Sequence, residues 1–282
     1  MTTLDVRPSP IAGQWYEGNP KSLATEVDEY LNHAQLPELN GEVLAVIAPH
    51  AGHRYSGAVA GYAFAALRDR VPDLVAVISP MHHPYLQPLI TTSHQAYATP
   101  LGSVPVDSDA LDELDSALQT ELGFGLTRVP RDPEHSLEIE LPFLQRTLKS
   151  EWKLLPVMVR AQDPHVSEGL GKALAKTLRG KNFILVASSD LSHFYNQQTA
   201  LSLDNAMLHE IESFSPEGAF KVEHTRKGFA CGLGAVTAVM WAARELGADT
   251  VKILNHATSG DVTGDYSSVV GYGAAAILKC NP

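Results

Sequence analysis

The chain of 282 residues predicts a three-layer α/β sandwich around a largely parallel central sheet. Short, continuous apolar runs rich in Val, Ile and Leu read as strands buried on both faces, as in parallel sheets covered by helices. Helical patterns separate these runs almost one for one. No internal repeat, low-complexity tract or linker interrupts the alternation, so residues 1–282 read as one domain.

The first buried strand is Val43–Ala48 (VLAVIA), followed by a small-residue helix over Ser56–Arg68. Leu74–Ser79 (LVAVIS) is the second strand. Leu111, Leu114 and Leu118 recur at helical spacing in Asp107–Leu122, with Asp107 as its cap. Gly123–Pro133 is a polar connection too short to mark a domain boundary. His135–Lys149 reads as a helix interrupted or kinked near Pro142. Leu154–Val159 is strand-like, and Pro156 predicts an edge position or a bulge for it. Val166–Leu178 is helical, Phe183–Ala187 (FILVA) is a further buried strand, and Ala200–Phe214 and Gly234–Leu246 are helices. Val251–Leu254 and Val269–Leu278 close the sheet.

Composition narrows the function. A chain this long buries about three quarters of its unfolded surface, so it needs no disulfide or metal staple to fold. Lys and Arg number 21 against 32 Asp and Glu, a net charge of −11 that repels nucleic acid and anionic membrane surfaces. No apolar run reaches the roughly 18 residues of a membrane span, and Met1–Gln14 has no signal-peptide pattern, so a cytoplasmic protein is expected. Two cysteines, Cys231 and Cys280, fit a reducing compartment. Against them stand 12 histidines, so imidazoles are expected to supply most ligands of any bound metal.

In open α/β sheets the functional crevice lies off the carboxyl ends of the strands. Three predicted strands end there in histidine-bearing turns: Pro49-His50-Ala51-Gly52-His53, Pro80-Met81-His82-His83-Pro84, and Ser188-Ser189-Asp190-Leu191-Ser192-His193. Two histidines from different strand ends can hold a divalent metal, with Asp190, Glu134, Glu138 or the Cys231 thiolate as the anionic third ligand. No compact metal motif is present, so such a site is assembled from distant segments. Cys231 precedes a predicted helix, whose N-terminus favours the thiolate. Asp190 and His193, three apart, can form an acid–base pair. His135 and Glu138 fall on one predicted helix face, where they line a pocket or merely open the helix. The turn Asn255–Asp261, with His256, offers polar contacts to a substrate. Cys280 is given no chemical role.

The segments Ala12-Gly13-Gln14-Trp15-Tyr16, Ile47-Ala48-Pro49-His50-Ala51-Gly52, Ser79-Pro80-Met81-His82-His83, Glu134-His135-Ser136-Leu137-Glu138, Ser188-Ser189-Asp190-Leu191-Ser192-His193 and Cys231-Gly232 together resemble the Memo-like family, also called AmmeMemoRadiSam system protein B. The resemblance spans the chain in order from Gly13 to about Gly273. It implies a fold similar to class III extradiol dioxygenases, which are non-haem iron enzymes. It also implies metal ligation by His50, His82 and Cys231, with Asp190 and His193 beside the metal and His193 as the acid–base group. His83, His135, Glu138 and His256 are expected around these. Extradiol enzymes use a carboxylate where this chain offers Cys231, and a thiolate suits softer metals and is itself oxidisable. Fe(II) is the expected metal, with Cu or Zn as alternatives. The system name implies a radical-SAM enzyme and an AMMECR-like protein as partners.

The expected function is therefore a metal-dependent redox protein acting on a small-molecule or peptide substrate. The competing readings are a non-catalytic metal-binding interaction protein and a metal-assisted hydrolase or transferase.

Overall fold

The computed structural model describes residues 4–280. Four parallel strands form the middle of its main sheet: β2 (Glu42–Ala48), β3 (Leu74–Pro80), β8 (Lys153–Val159) and β9 (Phe183–Ser188), in the spatial order β2-β9-β3-β8. Register aligns Ala48 with Ser188 and Ile78 with Ala187, so the carboxyl ends of β2, β9 and β3 reach one edge together. Successive side chains of a strand point to opposite faces. Leu74, Ala76 and Ile78 accordingly enter one core, and Val75 and Val77 the other.

Each face is covered by helices. On the first lie α3 (Ser108–Leu122), α5 (Pro164–Leu178), α6 (Gln197–Glu212), α7 (Pro216–His224) and α8 (Leu233–Glu245), which bring Leu114, Leu174, Met207 and Val236 onto Leu155 and Leu185. On the second lie α1 (Pro20–His33), α2 (His53–Ala65) and α4 (Leu141–Thr147), which bring Leu23, Phe64 and Phe143 onto Val46 and Val186. Asn19, Asp107, Asp163, Asn196 and Ser215 cap their helices through side-chain acceptors. The three-layer α/β architecture read from the sequence is present. Among the described residues, no helix is long and apolar enough to cross a membrane.

The sheet is parallel only in its middle. β12 (Val269–Lys279) runs antiparallel to β2, and β11 (Thr250–Thr258) antiparallel to β12. The short β10 (His193–Tyr195) pairs with the start of β12. At the opposite side β4 (Leu89–Thr92) is antiparallel to β8, and β7 (Thr127–Val129) parallel to β4. The β11–β12 connection holds only the four-residue α9 (Gly260–Thr263) and a few turn residues, too short for a parallel crossover. A separate small sheet joins β1 (Val6–Arg7), β5 (Ala96–Thr99) and β6 (Gly102–Pro105).

Three local expectations are corrected. Pro156 does not push β8 to an edge: β8 lies between β3 and β4. The Pro156 carbonyl accepts from Thr91 Oγ1 on the β4 side, where β4 pairs only as far as Met158 and Val159, so no ladder partner needs the missing N–H. No helix starts at His135 and none is kinked; Pro142 opens α4 in the first turn, where its missing N–H is harmless, after a 3₁₀ turn at Glu138–Glu140. His256 is not in a turn after a short strand, because β11 continues through it to Thr258.

Candidate metal centre

The ends of β2 and β3 bring His50 and His82 together, and the residue that completes their cluster is His135 rather than the expected Cys231. His50, His82 and His135 each offer a ring nitrogen, and these lie within 4.8 Å of one another. His50 is buried, His135 half-buried and His82 exposed on one side. The His82 and His135 rings stack, with centroids 4.8 Å apart and planes at 18°. The His50 ring stands edge-on to both, at 5.3 and 5.5 Å. His53, which starts α2, is buried elsewhere, with Nε2 3.2 Å from the Ile139 carbonyl.

Buried acceptors fix these rings. Glu134, fully buried, accepts from the backbone N–H of His82 at 2.6 Å and from its Nδ1–H at 2.9 Å. It also accepts from the backbone N–H of His135 and of Ser136, both at 3.0 Å, and its Oε1 lies 3.1 Å from Nδ1 of His135. Ser188 Oγ meets Nδ1 of His50 at 2.9 Å. Holding Nδ1 of His50 and His82 directs the Nε2 of each toward the centre, the arrangement that orients histidine ligands in metal sites. Burial lowers the His50 pKa well below the ordinary imidazole value, reinforced by His135 and His82. Burial also lowers His135, to about 4, against the opposing pull of Glu134. Burial alone would raise Glu134, but its hydrogen bond from His82 and the two neighbouring rings hold it well below the usual carboxylate range. At neutral pH His50 and His135 are thus neutral imidazoles, backed by the Glu134 carboxylate.

Cys231 Sγ lies 3.1 Å from Nε2 of His50 and accepts from the Asp190 backbone N–H at 3.3 Å. Gly232 permits this approach, because a Cβ there would sit 2.3 Å from the Ser188 carbonyl oxygen. The thiolate expected from the helix N-terminus is not favoured in the metal-free site. Burial, with the Asp190 carboxyl beside it, pushes the Cys231 thiol well up. Cys280 is remote, its Sγ contacting Thr250 Oγ1.

The other expected residues divide. Asp190 is buried but does not orient His193: its carboxylate accepts the His50 backbone N–H at 2.8 Å, and His193 Nδ1 pairs with the Leu191 carbonyl at 2.8 Å. Burial raises Asp190 to about 7, opposed by the His50 and Ala51 amides. Burial lowers the His193 pKa, and nearby His82 adds to this. His83 is half-buried and reaches His135 only through space. Glu138 is buried away from the rings, accepting from Tyr16 Oη at 2.6 Å and from Ser9 and Arg7. His256 Nε2 bonds Asp204 Oδ2 at 3.0 Å, and Asp204 in turn accepts the Ser192 N–H at 2.9 Å, so His256 braces the loop behind His193.

Three contributors were missed. Trp15 lies over His135, ring centroids 4.2 Å apart. Arg7, buried, holds the Glu134 carbonyl at 2.6 Å and the Asp132 carbonyl at 2.9 Å, tying down the loop that carries Glu134 and His135. Ser188 holds His50. Trp15 and Ser188 left a trace in the sequence, through their places in recognised motifs; Arg7 left none. A cleft of about 470 Å³, walled by Trp15, Tyr55, Phe194, Val270 and Tyr272, reaches the turn after His50 through Ala51 and Gly52. Phe194 is 75% exposed and has a left-handed backbone, φ 63°. Such strain in a bulky residue gathers at ligand sites.

This is the architecture of an α/β protein with a histidine-rich centre at one sheet edge. Residues 7–276 match the family described as Memo-like protein, and the chain belongs to that family. It is 34% identical over 277 residues to a MEMO1 family protein of Nitrosopumilus maritimus, covering 97% of this chain and 100% of that one. It is 32% identical over 278 residues to a MEMO1 family protein of Methanosarcina mazei, with the same coverage. In fold it is similar to the uncharacterized protein JW3007 of Escherichia coli K12, at a TM-score of 0.53 and 15% identity, over 82% of this chain and 99% of that one.

Proposed function

We propose that this protein is a metal-dependent oxidoreductase related in chemistry to non-haem iron dioxygenases. The observation that supports the reading is the cluster of His50, His82 and His135, in which Ser188 holds Nδ1 of His50 and Glu134 holds Nδ1 of His82. The donor set fits a metal. Neutral imidazoles suit Fe, Cu and Zn alike, and the Cys231 thiol against His50 Nε2 can become the anionic ligand by losing its proton. Four protein donors would close a tetrahedral zinc site but leave positions open on a metal of higher coordination number, which favours Fe(II). A bound iron or copper ion supplies a Lewis acid and a one-electron redox centre.

The chain's own residues do the rest. Glu134 and Ser188 orient the ligand rings. Trp15 and Phe194 wall the cleft in which a small molecule or a peptide side chain lies beside the centre. His193, kept neutral by burial, takes a proton from the substrate and returns one. Asp190 holds the His50 backbone rather than the His193 ring. A cytoplasmic role beside a radical-SAM enzyme and an AMMECR-like protein accompanies this reading.

The test is metal content and oxygen consumption of anaerobically prepared protein. His50→Ala and His82→Ala should lose metal more than tenfold, whereas His83→Ala should retain it. Equal retention in all three variants would defeat the reading.

A further inference from the structure

A hydroxyl carries one hydrogen and two lone pairs. Ser188 Oγ, buried at the end of β9, has three partners: the Ser136 carbonyl oxygen at 2.7 Å, Glu140 Oε1 at 2.6 Å and His50 Nδ1 at 2.9 Å. All three are hydrogen-bond distances. A carbonyl can only accept, so the Ser188 hydrogen points at Ser136. The other two contacts are then satisfied only if Glu140 and His50 each donate to the Ser188 lone pairs. An ionised Glu140 would instead compete with the Ser136 carbonyl for one hydrogen, leaving two oxygens in close contact with no proton between them.

The surroundings of Glu140 agree. The residue is fully buried, and its Oε2 has no hydrogen-bond partner among the described residues. A carboxylate charge left there would be unsupported, whereas a neutral acid leaves only an unpaired carbonyl oxygen. We propose that Glu140 is kept as a neutral acid which, through Ser188, locks His50 in the Nδ1–H tautomer and so keeps its Nε2 lone pair turned to the metal position. Burial pushes the Glu140 carboxyl well above its usual range; the Ser188 contact opposes this, and the nearby Asp190 carboxyl adds to it. Glu140 and Ser188 are positioning residues, acting only through His50. Buried partners of metal-ligating histidines typically change metal affinity by about 10–100-fold when removed.

The link to metal rests on the function proposed above, but the proton and the tautomer belong to the metal-free protein and are measured there. Infrared difference spectra of wild type against Glu140→Gln at neutral pH should contain the carbonyl stretch of a protonated carboxyl, lost in the variant. Nitrogen-15 NMR should find His50 as the Nδ1–H tautomer in wild type. It should remain so in Glu140→Gln, whose amide N–H still donates to Ser188, and become mixed in Ser188→Ala. Cobalt(II) affinity should fall about 10–100-fold in Ser188→Ala and Glu140→Leu and stay within about threefold in Glu140→Gln. A missing carboxyl band, or an Nε2–H tautomer in wild type, overturns the proposal even if metal binds. If metal does not bind while band and tautomer are as stated, the lock stands and the metal reading fails. Should Glu140→Leu fail to fold, the wild-type and Glu140→Gln spectra still decide.

Discussion

Replacing Glu134 by Gln separates ring orientation from loop stability. The carboxylate accepts three backbone N–H groups and the Nδ1–H of His82, and is fully buried. An amide keeps one oxygen and turns an NH₂ toward donors that need an acceptor. One or two buried donors are then orphaned, at about 1–3 kcal/mol each. The expected loss of stability is about 2–4 kcal/mol in urea unfolding. The rings lose their common acceptor as well, so metal affinity should fall about 10–100-fold in a chelator competition. Glu138→Gln is the control. It loosens the same loop through Arg7 and Tyr16 without touching a ring, so it should destabilise comparably while leaving metal affinity within about threefold. Equal affinity losses in the two variants would mean that the loop, not the carboxylate, sets the site.

Two other carboxyls should shape the dependence of stability on pH. Burial raises Glu140 well above its unfolded value and Glu223 to about 7. A folded carboxyl pKa above the unfolded one contributes stability below about pH 4.5 that is lost as pH rises, whereas His50, His135 and His193, lowered by burial, contribute stability lost as pH falls below about 6.5. The Glu140 part is therefore read as a difference: unfolding free energy of wild type minus that of Glu140→Gln should fall between about pH 5 and 7. A difference that rises across that range would contradict the raised Glu140 carboxyl. Phe194→Asn should stabilise the fold by roughly 1 kcal/mol in thermal unfolding, because asparagine tolerates the left-handed backbone and the lost ring is largely exposed. A clear loss of stability would show that the ring packs. In the metal-free protein, iodoacetamide should label Cys231 more slowly than Cys280 at pH 7.5, since burial and Asp190 disfavour the Cys231 thiolate. Mass spectrometry finding the reverse order would restore the thiolate expected from the helix N-terminus.

What the sequence disclosed depended on the range of the interactions involved. Runs such as Leu74–Ser79 and Phe183–Ala187 declare themselves because burial on both faces makes every position apolar. Their histidine-bearing ends followed from strand direction, which placed His50 and His82 at one edge. The antiparallel flanks were not legible, since an apolar run carries no information about the direction of its neighbour. His135 was read onto a helix because Pro142 looked like a kink, whereas it starts α4 and leaves His135 in a loop. Arg7 was invisible as a site residue and Ser188, although inside a motif, gave no sign of its role: their partners lie 125–131 and 48–138 residues away, and neither side chain carries a spacing signal for them. Asp190 and His193 looked paired because they are three apart, yet the turn aims one at the His50 amide and the other at the Leu191 carbonyl.

The central claim is that one metal ion sits among His50, His82, His135 and Cys231. Crystals of anaerobically prepared, Fe(II)-loaded protein, measured on both sides of the iron absorption edge, test it most directly. The account predicts a single anomalous peak about 2.0–2.3 Å from ring nitrogens of His50 and His82. Contact with Cys231 or His135 should complete the set, with Glu134 still on the two Nδ1 atoms. No peak at full iron loading, or a peak held by other residues, would contradict it.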